Sequence, residues 1–583
     1  MKFAFLQNKR VRVGIITLIF TLSVATVILV RLNAPTLISS SDTCALIESA
    51  MRFSKTGVAS SALFPGFTEV ITDPHPYPEM RWWATGAPKI MGTLIRWGLG
   101  PEAAYRVVNY AAIALMWLGW FLVVKEAGRL ELLSRHPLVA AGFCLCPLFL
   151  TPNIDIDEML FAAFVPWIIW LTSKTLSSRK WWLYLCILMA SFWAGYQVRH
   201  ASLMFPLLAM SAFGIVLLRK QETKPSKTKA LLSLLSSTGI FLLLLYINSS
   251  SSPEYFGDAN ERKVDVISRF IESVGDSVCA SFFWLVSWFL PGRFVGHLQS
   301  MLIALNGLGY ITFLLYSLPV VFSIMRILQE RHVSKLSINL FLCFALLLFN
   351  YVTLIYASIK ILGDFRFTTL SDYWYAFTPL TMILGVFLFQ KKLLISRYFA
   401  YALSLITISL LLTAVIGINK KALSQLQGYY LNQDGMAQLR QRLSFVQLKP
   451  NEYVLPPELL DSEAIFYTRA PQFYSLMYQN CKLQFRYPPF QTEFSKYRTE
   501  RAVTLYFVLT DSEKEQNTMH LGLRALANPE NERLFFEEVI KPLKLSERKD
   551  ILLYEHLIIR PYKKMHIMEV SLPSGWRGKD ASE

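Results

Sequence analysis

The chain reads as a polytopic α-helical membrane protein of about 11 spans, with a long first extracytoplasmic loop and a C-terminal soluble α/β domain. Three observations carry that reading. First, 53% of the 583 residues are hydrophobic and 17% are charged, with mean hydropathy +0.37; a soluble domain carries about a quarter charged residues. Second, runs of mostly apolar residues recur at lengths that cross roughly 30 Å of hydrocarbon. Third, hydropathy drops after about Ile418 and stays low.

The net charge of +17 raises nucleic acid as a partner, but no nucleic-acid module is legible. The basic residues fall instead in short loops, as the positive-inside rule requires. The seven cysteines are scattered and none has zinc spacing. Cys144 and Cys146 lie in an apolar run, and a disulfide among Cys44, Cys279 and Cys481 is left open by spacing.

Residues 1–12 carry Lys2, Lys9, Arg10 and Arg12, and an apolar run follows to Val30. No small-x-small cleavage site follows it, so it reads as an uncleaved span with a cytoplasmic N-terminus. Residues 32–102 form the first loop on the far side. It opens with apolar residues at helical spacing from Thr43 to Ser54, capped by Asp42 or Thr43 and ended by Gly57. Asp73-Pro-His75-Pro-Tyr77-Pro-Glu79-Met-Arg81-Trp82-Trp83 comes next, and prolines at alternate positions forbid a helix or central strand there. Pro88–Gly98 is amphipathic and too short to span, which places it in the interface with Trp97 near the headgroups.

The remaining spans fall at about 104–124, 136–151, 159–173, 181–197, 201–218, 230–248, 301–325, 337–360, 373–390 and 398–417. Alternation then assigns five short basic loops to the cytoplasm, among them Lys174–Lys180, Arg219–Lys229 and Arg326–Lys335. Val278–Leu290 is apolar but short, and counting it as a span would put Lys391 and Lys392 outside. It therefore reads as an interfacial or re-entrant helix within a second large loop, 249–300. Residues 1–418 form the transmembrane domain and 419–583 an extracytoplasmic α/β domain. That domain has strand-like runs at Ala502–Leu509 and Ile551–Ile559 and polar helical stretches at Met436–Leu443 and Glu530–Ile540.

Four sets of residues carry chemistry on the far face. Asp42 opens the first loop; its plainer role is a helix cap worth about 1 kcal/mol. Asp155, Asp157 and Glu158 stand at the mouth of the fourth span, where carboxylates also simply suit a helix N-terminus. Arg199-His200 lies between two spans; a cation there runs against the positive-inside bias, and a bound anion or headgroup snorkelling explains it. Arg366, followed by Asp372-Tyr373-Trp374-Tyr375, is a second phosphate clamp or part of an interfacial belt. His75 and Arg81 are further substrate-binding candidates from the Pro-rich loop. Carboxylates with guanidinium groups at a membrane surface suit transfer from a lipid phosphate carrier: Arg holds the leaving phosphate and a carboxylate takes the acceptor's proton.

The block Asp42-x5-Glu48-x-Ala50-x6-Gly57 after a first span resembles the first extracytoplasmic loop of GT-C glycosyltransferases, in the branch of protein O-mannosyltransferases and aminoarabinose transferases. Ala87-Pro88-Lys89-Ile90 to Trp97 resembles the end of that loop, and Asp155-Ile-Asp157-Glu158 its second acidic motif. Lys180-Trp-Trp-Leu to Arg199, then Phe205-Pro206, resembles the next two spans, with Arg199 in place of a Lys that the family often has before a Pro. The usual double-acidic start is Asp42-Thr43 here, and of the Lys-Pro-Pro pattern only Pro88 is left. The resemblance implies inverting transfer from a polyprenyl-phosphate-linked sugar to an extracytoplasmic acceptor, with Asp42 as general base. Asp155 or Asp157 would support the site, and Arg199 and Arg366 would hold the carrier phosphate. Many relatives need no metal, and some use a divalent cation on equivalent acids, for which Asp42, Asp155 and Asp157 have the chemistry.

Two other classes compete. A transporter or flippase needs ionisable residues deep inside spans and matching halves, and the spans here are nearly free of charge at their centres. A non-catalytic scaffold of an envelope-polysaccharide complex is the other. The C-terminus bears no ER retention signal, and the expected location is a prokaryotic plasma membrane.

Overall fold

The computed structural model describes residues 14, 17–18, 21, 41–60, 70–72, 84–130, 156–219, 224–250, 308–330, 334–362, 455, 457–467, 482–486, 498–510, 545–554 and 564–577. The predicted spans at 136–151, 373–390 and 398–417, the helix at Val278–Leu290 and the polar helices at 436–443 and 530–540 lie outside these residues. The chain divides into two compact units, one comprising 1–34, 81–86 and 109–423 and the other 35–80, 87–108 and 424–583.

In the second unit, α1 (Ser41–Thr56) opens the first loop. It begins one residue before Asp42, which is therefore a first-turn residue and not the cap. Gly57 ends the helix as its sequence position predicts: it takes φ of 80°, where a Cβ is strained, and its N–H donates to the Phe53 carbonyl at 2.9 Å. α2 (Gly86–Arg96) is 11 residues long and does not reach a spanning length. It packs on α1 at Gly92, where a Cβ would stand 2.5 Å from the Ala50 carbonyl oxygen. Arg96 then completes the end of α1, donating from Nη2 to the Phe53 carbonyl and from Nε to the Ser54 carbonyl, with its guanidinium 5.4 Å from the Phe53 ring centroid. Ala87, Pro88 and Met91 are buried, while Trp97 just beyond is 73% exposed.

α3 (Pro101–Glu126) begins in the second unit and continues in the first. The first unit then adds α4 (Ile156–Ser177), α5 (Trp181–Val198), a single 3-10 turn (His200–Leu203), α6 (Met204–Leu218), α7 (Lys224–Ser250), α8 (Leu308–Gln329) and α9 (Lys335–Leu362). Five stretches among the described residues are long and apolar enough to cross a membrane: Ala103–Glu126, Ile156–Ser177, His200–Leu218, Pro225–Asn248 and Lys335–Thr353. α5 and α8 also fall on predicted spans. The described residues thus make an integral membrane protein without reaching the expected count of 11.

Helix packing here depends on close backbone approach, because lipid offers no hydrophobic drive between helices. Gly119 of α3 faces Pro166 of α4; a Cβ at Gly119 would lie 2.7 Å from the Pro166 Cγ. The Trp167 indole reaches across the same crossing and donates to the Leu115 carbonyl at 2.9 Å.

Charged groups at one end of the helices tie the first unit together. Glu126, at the end of α3, accepts from Lys174 of α4 at 2.6 Å and from Lys335 of α9 at 2.5 Å. Arg219, fully buried after α6, donates to the Glu330 carbonyl. Ser334 caps α9 by accepting the Ser337 N–H at 3.1 Å. Burial alone would raise the pKa of the Glu330 carboxyl. Hydrogen bonds from the Ser337 hydroxyl, the Ser334 N–H and the Arg326 guanidinium outweigh that and hold it below its ordinary 4.5.

The C-terminal part of the second unit is a five-stranded mixed sheet in the order β2-β1-β3-β5-β4. Its strands are β1 (Ile465–Tyr467), β2 (Gln484–Arg486), β3 (Val503–Thr510), β4 (Ser546–Tyr554) and β5 (Lys564–Leu572). β1 runs parallel to β2 and β3, while β5 is antiparallel to β3 and β4. Alternation along β3 buries both faces. Val503, Leu505, Phe507 and Leu509 join one apolar cluster, and Tyr506 and Val508 the other. β3 matches the predicted strand at Ala502–Leu509. The predicted strand at Ile551–Ile559 starts earlier, at Ser546, where a bulge between Glu547 and Leu552 accommodates the polar half.

Two predictions follow from the charged end of the helices. Glu126→Ala strands Lys174 against the bundle; with Lys335 about half exposed and screened, the expected loss is about 2 kcal/mol, read as a lower melting temperature in detergent. The depressed pKa of Glu330 gives stability that is complete above about pH 4.5 and is lost as pH falls through the lower folded value. Acid melting curves of Glu330→Gln are expected to lack that component.

Candidate functional site

α4 starts with Ile156-Asp157-Glu158, so both carboxylates sit in the first turn, where the helix dipole favours negative charge. Arg199 lies in the break between α5 and the 3-10 turn. Its backbone is extended, and its N–H still donates to the Gly195 carbonyl at 2.8 Å. That break points the guanidinium at the mouth of α4. Arg199 Nη1 is 3.4 Å from Asp157 Oδ2 and 3.2 Å from Glu158 Oε1, and the three side chains are 13%, 5% and 16% exposed. Asp157 Oδ1 is buried and has no hydrogen-bond partner among the described residues.

The surrounding packing holds this group in place. Gly195 leaves room for Ser202 and Phe205, each 3.3 Å from where its Cβ would be, so the chain folds back directly after Arg199. Phe205 stacks on Phe161 of α4 with ring centroids 5.2 Å apart. His200 stacks on Tyr196 at 4.8 Å, and the Tyr196 hydroxyl donates to Asn248 Oδ1, at the end of α7, at 3.4 Å. Gly86 packs against the last turn of α5: a Cβ there would meet the Gln197 carbonyl oxygen at 2.6 Å.

Of the residues predicted to carry chemistry, the structure brings together Asp157, Glu158 and Arg199, while His200, next in the chain, stacks on Tyr196. Asp42 is placed by its backbone in the first turn of α1. Asp155, His75, Arg81, Arg366 and Tyr375 lie outside the described residues. Sequence reasoning missed Tyr196, Asn248 and Gly86. Tyr196 and His200 meet across the break at Arg199, which helical spacing does not predict. Nothing local marks Gly86 or Asn248.

Among the described residues no group of three or more His, Cys, Asp or Glu side chains can hold a metal ion. Asp157 and Glu158 supply two carboxylates, and the Arg199 guanidinium pairs with both. The side chains of Asp42 and Asp155, the other acids expected to hold a divalent cation, lie outside the described residues. Asp157, Glu158 and Arg199 form a largely buried group of two carboxylates and one guanidinium at the start of an apolar helix, with chemistry suited to charge-assisted hydrogen bonds.

Gly86→Ala drives a methyl into the Gln197 backbone two residues before Arg199. The expected cost is about 1–3 kcal/mol, read as a lower melting temperature.

No family model matches the chain, and no curated protein matches it. Among solved structures, the oligosaccharyltransferase of Archaeoglobus fulgidus in its apo form is similar at 12% identity and TM-score 0.43, over 88% of this chain and 70% of that one. The same enzyme, AglB, in complex with an inhibitory peptide and a dolichol-phosphate is similar at 12% identity and TM-score 0.44, over 86% and 70%. Its complex with Zn and sulfate gives 12% and 0.43, over 86% and 68%.

Proposed function

We propose that the chain is a membrane glycosyltransferase that moves a sugar from a polyprenyl-phosphate carrier to an acceptor hydroxyl on the extracytoplasmic side. The observation that carries this reading is the Asp157–Arg199–Glu158 group. One Asp157 oxygen faces Arg199, and the other is buried without a hydrogen-bond donor among the described residues. A buried acceptor left in that state costs about 1–3 kcal/mol, and a ligand hydroxyl donating to it relieves that cost.

The acceptor oxygen attacks the anomeric carbon from the face opposite the phosphate, and the bond from that carbon to the phosphate oxygen breaks, so configuration inverts. The acceptor's proton goes to the Asp42 carboxylate, and the electron pair of the broken bond leaves on the phosphate. Arg199, with Arg366, holds the phosphate as its charge grows, which is where a preorganised guanidinium lowers the barrier most. Asp157, with Asp155 and Glu158, orients the acceptor. His200, His75, Arg81 and Tyr375 line the substrate. In this reading residues 1–418 form the transmembrane domain and 419–583 the extracytoplasmic one, in a prokaryotic plasma membrane.

The test is transfer of labelled sugar from a polyprenyl-phosphate donor by purified protein. Asp42→Asn is expected to lower turnover about 10²–10⁴-fold, as loss of a general base does, while size-exclusion profile and melting stay as in the wild type. Arg199→Ala is expected to lose about 10²–10³-fold, and Arg199→Lys, which keeps charge without the fork, less. Wild-type rates in Asp42→Asn sink the proposal. Substrate accumulation in proteoliposomes without glycosylated product replaces it with a transporter.

A further inference from the structure

At the end of α4 away from Asp157, the first unit gathers more positive charge than its ion pairs use. Glu126 takes Lys174 and Lys335, and Glu330 takes Arg326, with Nε 3.0 Å from Oε1. Arg219, 2% exposed, donates to the Glu330 main-chain carbonyl, a neutral acceptor. Arg129 joins them from the end of α3. There Gly128 turns the chain with φ of 68°, and the Arg129 N–H donates to the Val124 carbonyl at 3.1 Å. The Glu126–Lys335 pair holds that turn beside the α8–α9 connection, which brings the Arg129 and Arg326 charges within reach of each other. Burial first, and the Arg326 charge second, hold the Arg129 pKa below its ordinary value. Arg129, Lys174, Arg219, Arg326 and Lys335 thus gather round two carboxylates, and two of the guanidinium groups repel each other.

Basic residues in short loops are expected of any membrane protein, but those stand in water, where like charges are screened. These are packed: Arg219 is inside the protein, and Lys174 and Arg129 are half-buried. Charge of one sign held away from water is costly unless an opposite charge joins it. Depth says which anion is at hand. The Trp170 ring centroid lies 5.9 Å from Lys174 Nζ, Trp170 meets Tyr184 edge-on at 5.7 Å, and Trp182, at the start of α5, is 59% exposed. Trp and Tyr concentrate at the level of the lipid headgroups. The expected topology makes this the cytoplasmic leaflet, where anionic lipids lie and basic pockets between helices take their phosphates. Arg326 can take one without giving up Glu330, since a guanidinium offers several N–H donors in a fork matched to phosphate.

We infer that Arg129 and Arg326 bind the phosphate of an anionic phospholipid, of which phosphatidylglycerol is the simplest, at the end of the helices away from Asp157. The lipid supplies the missing counter-charge and ties α3 to α8. The site is separate from sugar transfer and does not depend on the transferase reading.

The experiment adds phosphatidylglycerol, phosphatidylcholine with the same acyl chains, or inorganic phosphate to the full-length protein, delipidated in detergent. Bound lipid is counted by native mass spectrometry, and melting is followed in parallel. Phosphatidylglycerol is expected to stay bound and to raise the melting temperature, and net-neutral phosphatidylcholine to do neither. Arg129→Gln and Arg326→Gln are each expected to weaken phosphatidylglycerol binding about tenfold, as loss of a charge-assisted hydrogen bond does. Lys180→Gln, which removes an exposed cation from the start of α5, leaves binding as in the wild type. Where Arg129→Gln does not fold, Arg326→Gln decides. Equal binding of the two lipids overturns the inference, as does wild-type affinity in the Arg129 or Arg326 variant, or an equal loss in Lys180→Gln. Full stabilisation by inorganic phosphate assigns the pocket to a free anion and overturns the lipid.

Discussion

Inside hydrocarbon, no backbone polar group can go unpaired and no charge can stand alone. That constraint explains most of the first unit. Its chain satisfies the backbone by forming helices, and its ionisable groups collect at helix ends, where they pair. α4 shows both ends in one element. Asp157 pairs with Arg199 in the first turn, and Lys174 pairs with Glu126 near the last. The two lie 17 residues apart, about 26 Å along a helix axis, close to the thickness of the hydrocarbon itself.

The two clusters at those ends differ in kind. Glu126 draws Lys174 and Lys335 onto itself and so joins α3, α4 and α9. It is a knot between helices, and its groups are consumed by one another. At the other end the guanidinium of Arg199 stands between two acids, and Asp157 keeps one buried oxygen without a partner among the described residues. In the proposed reading a ligand's hydroxyl completes that oxygen. The stack of His200 on Tyr196 and the narrow gaps at Gly195 and Gly86 pack the chain on either side of Arg199, and in the proposed reading that packing preorganises its charge for the leaving phosphate.

In the second unit, the order of the argument runs from sheet to loop. β3 is buried on both faces and organises the strands around it. Ile71 enters one of those apolar clusters from more than four hundred residues earlier in the chain. The first loop is therefore not a free excursion between spans. Its middle is held by hydrogen bonds to Arg498, Arg486 and Glu500, and its opening helix is finished by Arg96 of α2.

Much of this was legible in the residues alone. Apolar runs of spanning length, basic short loops, Gly57 as a helix stop and the β-branched and aromatic run at Val503–Thr510 are local signals, each governed by neighbours a few positions away. So was the placement of the acidic turn at Asp157-Glu158 and of Arg199 on one side, because both fall at helix ends that alternation puts there; their pairing was not. The short strands β1 and β2, at three residues each, carry too little pattern to be seen, and β5 hides behind His566 and Glu569 at its core. Distances between side chains, the burial of Asp157 Oδ1, the space at Gly86 and the grip of Arg486 on Ile71 were decided only by tertiary structure. They depend on which segments meet, and a contact across hundreds of residues leaves no periodicity in a single sequence to read.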